Sequence, residues 1–237
     1  MTRHLLTILC CDDTPEPDRS RHGDSDERLA RHLQRAADLA ELSIDLRILD
    51  VREGTFPADD DPSELFVTTG SALAPFDDVP WVKAMARWLP PALARGARVY
   101  AICFGHQLVA QALGGQTRRA PQGWEVGCVE LKKQFTLPPG GARSGQPPQA
   151  LPPTDGEPSE LRMLMSHRDE VSRLPPGALP WLVGKTRPDQ GFVIPGRAVT
   201  VQGHPEYEPA QAADGYRRRR EAHGPVLHEQ AMASLVE

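Results

Sequence analysis

An open, mostly parallel α/β sheet with helices on both faces is the fold class that this 237-residue sequence predicts, on three observations. Short apolar runs and amphipathic stretches alternate through the first half as strand, helix, strand, strand, helix, strand, helix. The run Val99-Tyr100-Ala101-Ile102 is compact and apolar at successive positions, as a strand covered on both faces requires. Gly70 and Cys103 each close a predicted strand, and sheets of this kind bind ligands at the carboxyl ends of their strands.

The elements follow in order. Residues 4–10 form an apolar strand that ends in Cys11-Asp12-Asp13, with a polar loop through Asp24. Asp24 and Glu27 make a capping box that starts a helix reaching about residue 42, its inner face marked by Leu29, Leu33, Ala36, Ala37 and Ala40. Strands are expected at 44–51 and 64–69, separated by an acidic, turn-like stretch at 56–62. Pro80 suits the first position of a helix over 81–89, which Pro90-Pro91 is expected to interrupt. After the strand at 99–102, Leu108, Val109, Ala112 and Leu113 recur at helical spacing, and Gly114-Gly115 stops that helix.

Further strands are expected at 124–131, 161–165, 181–185, 192–194 and 198–202, then a helical C-terminal part. The run Arg217–Arg220 within it reads as a solvated helix face rather than a phosphate site. Residues 136–160 are dense in Pro and Gly and read as a long connection inside one domain spanning 1–237, a surface loop in preference to a lid.

A net charge of -5 argues neither for nucleic-acid binding nor for a membrane surface. No apolar run approaches the ~20 residues that span a bilayer, and the N-terminus lacks the cleavage site of a signal peptide. Cys10, Cys11, Cys103 and Cys128 match no zinc spacing, and the adjacent Cys10-Cys11 suits a reduced interior. The reading is a cytoplasmic protein with free thiols and neither metal nor cofactor.

Cys103 is the candidate nucleophile. It sits between a strand and a helix, with Ala101 two residues before and Gly105 two residues after. A chain that nearly doubles back needs small residues at those positions, which is the logic of a nucleophile elbow. The helix start also directs unpaired N–H groups toward the sulfur, a setting that favours a thiolate. A thiol nucleophile requires a base, and His204 is the best placed, since it follows the apolar strand at the same sheet edge. Glu206 lies two residues on and can fix the imidazole tautomer, with Pro205 limiting the backbone between them. The backbone N–H of Phe104 and that of Gly70 are the candidate oxyanion donors.

Cys103-Phe104-Gly105-His106-Gln107 with Gly114-Gly115, and Gly203-His204-Pro205-Glu206, together resemble the two signatures of class I, triad-type glutamine amidotransferases. Gly70-Ser71 with Trp81, Gly123-Trp124-Glu125-Val126-Gly127 and Met165-Ser166-His167-Arg168-Asp169-Glu170-Val171 extend the likeness to stand-alone proteins similar to the amidotransferase domain of GMP synthase. The resemblance implies a flavodoxin-like domain in which Cys103 forms a γ-glutamyl thioester and His204 activates the water that resolves it. Gln107 would contact the substrate, and Ser166 and His167 would hold its amino-acid end, largely through backbone. From chemistry alone His167 is equally a structural histidine and Asp169 a helix cap, and His106 is not cast as the base. Two departures matter: Ser71-Ala72 replace the second glycine and the proline of the oxyanion motif, and no synthetase domain or Gly-rich phosphate loop is expected.

Three readings follow. The first is a glutamine amidotransferase or glutaminase-type hydrolase acting on a small-molecule substrate, with a separate ammonia-accepting synthetase as its partner. The second is a γ-glutamyl peptidase using the same triad on γ-glutamyl conjugates. The third is a non-catalytic domain that keeps the fold and binds a metabolite or a protein.

Overall fold

Ile8 and Leu9 are neighbours in the first strand, β1 (Arg3–Cys10), and both are fully buried, in separate cores on the two faces of the sheet. Phe66 and Val67 repeat this in β3 (Leu65–Thr68), as do Ala101 and Ile102 in β4 (Val99–Ile102). Successive side chains of a strand point to opposite faces, so apolar residues at every position require cover on both. The computed structural model, which describes residues 3–136 and 159–236, supplies that cover.

The first half contributes α1 (Asp18–His22), α2 (Ser25–Leu39), β2 (Ser43–Asp50), a 3-10 turn (Val51–Glu53), α3 (Pro80–Ala94) and α4 (Phe104–Ala112) beside β1, β3 and β4. The second half adds β5 (Gln116–Arg119), β6 (Glu125–Lys133), β7 (Glu160–His167), β8 (Asp169–Arg173) and β9 (Leu179–Gly184). It is completed by β10 (Gly191–Ile194), β11 (Ala198–Val201), α5 (Pro209–Arg218), α6 (Arg220–His223) and α7 (Pro225–Ala233).

Among the described residues one sheet has nine strands in the order β2-β1-β3-β4-β11-β10-β9-β6-β7. The pairings from β2 to β11 are parallel, and those from β11 to β7 are antiparallel. Only β10 and β6 therefore run against the other strands. Helices α3 and α4 bury Val82, Met85, Leu89, Leu93, Phe104 and Leu108 on one face, while α2 buries Leu29 and Leu33 on the other. A third cluster packs Ala212, Tyr216 and Ala231 of α5 and α7 against Val126 and Leu164. The fold class is the one expected.

The Asp24–Glu27 capping box is present: Asp24 accepts from the Ser25 N–H at 2.7 Å, and Glu27 accepts from the Asp24 N–H at 2.9 Å. Three local expectations need correction. Helix α3 runs unbroken through Pro90 and Pro91 to Ala94. Proline removes hydrogen bonds to the carbonyls of Ala86 and Arg87, but the buried stripe Val82, Met85, Leu89, Leu93 continues past the pair and holds the helix on the core. Residues 116–119 and 169–173, for which no strand was expected, form the separate antiparallel pair β5-β8. Asp169 therefore opens a strand instead of capping a helix, and its carboxylate pairs with Arg119 at 2.9 Å.

The Pro/Gly-rich connection expected at 136–160 falls, apart from its ends, outside the described residues. No described helix is long and apolar enough to cross a membrane.

Candidate active site

Strand β4 delivers Cys103 and β11 delivers His204, because these two strands are parallel neighbours in register. Ile102 pairs with Val201, and the Cys103 N–H donates to the Val201 carbonyl at 2.8 Å. Cys103 lies one residue beyond this pair on one strand and His204 three beyond it on the other, so the chains leave the sheet at the same edge.

Cys103 has φ +50° and ψ -99°, a left-handed φ that non-glycine residues seldom adopt. The surroundings enforce it. A β-carbon at Gly105 would run into the Thr68 hydroxyl and lie 3.2 Å from the Ala101 β-carbon, so the two small residues flanking the sulfur are a packing necessity. The Thr68 hydroxyl also accepts from the Ile102 N–H at 3.1 Å, tying β3 to the elbow. Phe104, the first residue of α4, is fully buried against Trp81 with ring centroids 5.4 Å apart. Its N–H belongs to the helix's first turn, where no intrahelical acceptor exists.

The His204 N–H donates to the Leu164 carbonyl of β7 at 2.9 Å, which fixes the residue beyond the end of β11. Its Nδ1 lies 2.7 Å from Oε1 of Glu206, and both side chains are buried. Tyr207 stacks on the imidazole at 3.9 Å with the planes 12° apart. Burial alone opposes charge on His204, but Tyr207, Glu206 and Cys103 around it, the last also by a hydrogen bond, raise its pKa well above the ordinary histidine value. Gly70 completes the cluster, since a β-carbon there would sit 2.8 Å from His204 Cε1 and 3.6 Å from the Cys103 β-carbon. Cys103, His204, Glu206, Gly70 and Phe104 thus converge at one sheet edge.

Gln107, Ser166 and His167 lie beside this cluster with their side chains already engaged. Gln107 is buried, and its Nε2 donates to the Asp169 carbonyl and to Gln202 Oε1, both at 3.0 Å. His167 places Nδ1 2.8 Å from the Asp169 carbonyl and Nε2 2.9 Å from Glu125 Oε2. Ser166 accepts from Arg219 at 3.1 Å. His106 points away from the cluster, with Nδ1 2.8 Å from Thr200 and its ring on Phe192. Burial, with His167 nearby, pushes the His106 pKa down to about 3.

Gln202 and Tyr207 were not anticipated. Gln202 Nε2 approaches Cys103 Sγ at 3.6 Å and links it to Gln107. Both residues flank the Gly203-His204-Pro205-Glu206 motif, and that adjacency was the available signal. Among the described residues no three His, Cys, Asp or Glu side chains are grouped to hold a metal ion.

The model for glutamine amidotransferase class I matches residues 38–219, well over half the chain. The chain belongs to the class I glutamine amidotransferase family. Gamma-glutamyl peptidase 4 of Arabidopsis thaliana is 31% identical to it over 163 residues, covering 66% of this chain and 60% of that protein. The GMP synthase (glutamine-hydrolyzing) of Thermotoga petrophila is 32% identical over 116 residues, covering 49% of this chain and 20% of that protein. The match thus spans about three fifths of one curated family member and a fifth of the other. Among solved structures, a glutamine amidotransferase from Thermotoga maritima superposes with a TM-score of 0.69 at 20% identity, covering 98% of this chain and 90% of that one. At that identity the family likeness in three dimensions is one of fold.

Proposed function

We propose that the protein hydrolyses the γ-amide of glutamine or of a γ-glutamyl conjugate through a Cys103–His204–Glu206 triad. The observation that carries this reading is the convergence of a strained, elbow-held Cys103 with a buried imidazole whose other nitrogen is 2.7 Å from a carboxylate. Glu206 accepts the Nδ1–H, which leaves Nε2 for the proton exchanged with sulfur. Cys103 Sγ attacks the γ-carbonyl carbon, and the backbone N–H groups of Gly70 and Phe104 receive the developing oxyanion. The C–N bond breaks as His204 passes its proton to the leaving nitrogen, giving a γ-glutamyl thioester and a free amine. Water then adds to the thioester with His204 as base, releasing glutamate and restoring the thiol.

With glutamine the amine is ammonia, and a separate synthetase subunit would be its acceptor. With a γ-glutamyl conjugate the amine is itself a product, a reading favoured by the likeness to a γ-glutamyl peptidase. The two readings differ only in the leaving group. Mass spectrometry of products from purified protein given L-glutamine and a panel of γ-glutamyl amides separates them by relative turnover. Absence of glutamate from every substrate, with wild-type protein, would end both.

A further inference from the structure

The leaving nitrogen must lie against His204, which protonates it, so the rest of the leaving group extends over whatever adjoins that imidazole. What adjoins it is Tyr207, stacked on His204 at 3.9 Å, and Tyr207 is also a wall of a cleft shared with Asp12, Thr14, Arg28, Ser166 and Arg219. Asp12, which also lines the cleft, has its carboxylate facing the Ala72 N–H, two residues beyond Gly70.

The charges in this cleft are unevenly matched. Asp13 pairs with Arg52 at 3.0 Å, and Asp18 pairs with Arg218. Arg217 pairs with Asp214 at 2.7 Å. Arg28 and Arg219 have no such partner among the described residues. Arg28 is buried, spends Nη1 on the Thr14 hydroxyl at 3.0 Å and the Gly23 carbonyl at 2.6 Å, and holds its guanidinium 6.0 Å from the Tyr207 ring centroid. Among the described residues its Nε has no hydrogen-bond partner, nor has Oε1 of Gln211, a buried residue that also lines the cleft. Arg219 donates to Ser166 and senses Asp12 across the cleft without forming an ion pair. Two guanidiniums against the single Asp12 carboxylate leave the surface short of negative charge. Arginine's planar fork is suited to supply a carboxylate with paired hydrogen bonds.

Resting on the γ-glutamyl hydrolase reading, we infer that this cleft is a leaving-group subsite, and that the favoured substrates are γ-glutamyl amides whose leaving amine carries a carboxylate. Those are γ-glutamyl amino acids or peptides rather than glutamine, since ammonia has nothing to place there. The balance is a hydrolysis: the γ-glutamyl C–N bond breaks, the amine takes the His204 proton, and water completes the glutamate γ-carboxylate.

The test compares kcat/KM for γ-glutamylglycine, γ-glutamylmethylamide and L-glutamine in wild type, Arg219→Met and Arg219→Lys, with circular dichroism to check the fold. Wild type should favour γ-glutamylglycine over the methylamide at least about tenfold, the scale of one charge-assisted hydrogen bond. Arg219→Met should lose most of that preference and Arg219→Lys should keep part of it. Turnover without preference in wild type, or an equal fall for all three substrates in Arg219→Met, overturns the subsite and leaves the hydrolase reading standing. No turnover of any of the three by wild type overturns the hydrolase reading and the subsite together.

Discussion

A β-carbon on Gly70 would lie 2.8 Å from Cε1 of His204, closer than side-chain carbons come in folded proteins. Gly70, two residues beyond the end of β3, thus sets how near the His204 imidazole can stand to the sulfur. Gly70→Ala should displace His204 by a few tenths of an ångström or more. It should also lower kcat by about 10²-fold, the scale of small misplacements in a reacting geometry. Thermal unfolding and kcat measured on the same preparation check this, and a variant with wild-type kcat would remove Gly70 from the site.

Gly105→Ala should act on stability as well as rate. The added methyl group meets Thr68 and Ala101, residues of two packed strands that cannot both yield. Overpacking of this kind costs about 1–3 kcal/mol. Urea denaturation should show a lower midpoint with an unchanged m-value.

Removing the members of the proposed triad should hurt unequally. Cys103→Ala should lower turnover at least about 10⁴-fold and His204→Ala nearly as much, with Glu206→Ala less damaging because it acts through the imidazole. Single-turnover hydrolysis of a chromogenic γ-glutamyl anilide measures all three. An alkylating glutamine analogue should label Cys103. Burial pushes the Cys10 thiol up and the Cys11 thiol well up, which keeps both unreactive near neutral pH.

The charge on His204 gives a pH prediction. Burial lowers its pKa, but Tyr207, Glu206 and Cys103 together outweigh burial and raise it in the fold. The charged imidazole therefore contributes stability that is full below the ordinary histidine value and is lost as pH rises through the higher folded value. Glu206→Gln removes the favourable carboxylate and should lower that folded pKa. Following the His204 ring signals by NMR from pH 6 to 10 reads the shift, and a pKa that stays put would detach Glu206 from His204.

Asp12 behaves in the opposite sense. Burial, helped by Asp13, raises its pKa to about 6. Between the unfolded value near 4 and this folded value the native state binds the extra proton, so stability falls as pH rises across that window. Asp12→Asn should raise Tm at pH 7.5, and the gain should shrink toward zero as the pH approaches 4. A gain of the same size at both pH values would assign it to packing instead.

How much of this was legible in the sequence varied with the range of the contact. The capping box at Asp24–Glu27, the stop at Gly114, and the need for small residues at Ala101 and Gly105 depend on neighbours within a few positions, and local chemistry specifies them. The unbroken passage of α3 through Pro90-Pro91 was not legible, because it depends on the helix packing against the core on both sides of the pair, through Leu89 and Leu93. The β5-β8 pair was missed for a related reason: short strands carrying Arg118, Arg119 and Glu170 show little apolar pattern, and they exist through pairing with each other. The run Arg217–Arg220 reads as one exposed face in sequence, and Arg217 and Arg220 do face solvent, while Arg218 reaches Asp18 at the rim of the cleft. Arg219 turns into the cleft because Ser166 of a distant strand lies within reach.

By itself the sequence determined that Cys103 stands at a tight corner and that His204 and Glu206 follow a buried strand, since apolar alternation and side-chain size are properties of each residue and its near neighbours. Only the tertiary structure decided that β4 and β11 lie side by side, with Ile102 opposite Val201, so that the sulfur and the imidazole leave the sheet at the same edge. Parallel pairing between strands far apart in the chain is settled by packing against both faces of the sheet, and no stretch of either strand encodes its partner.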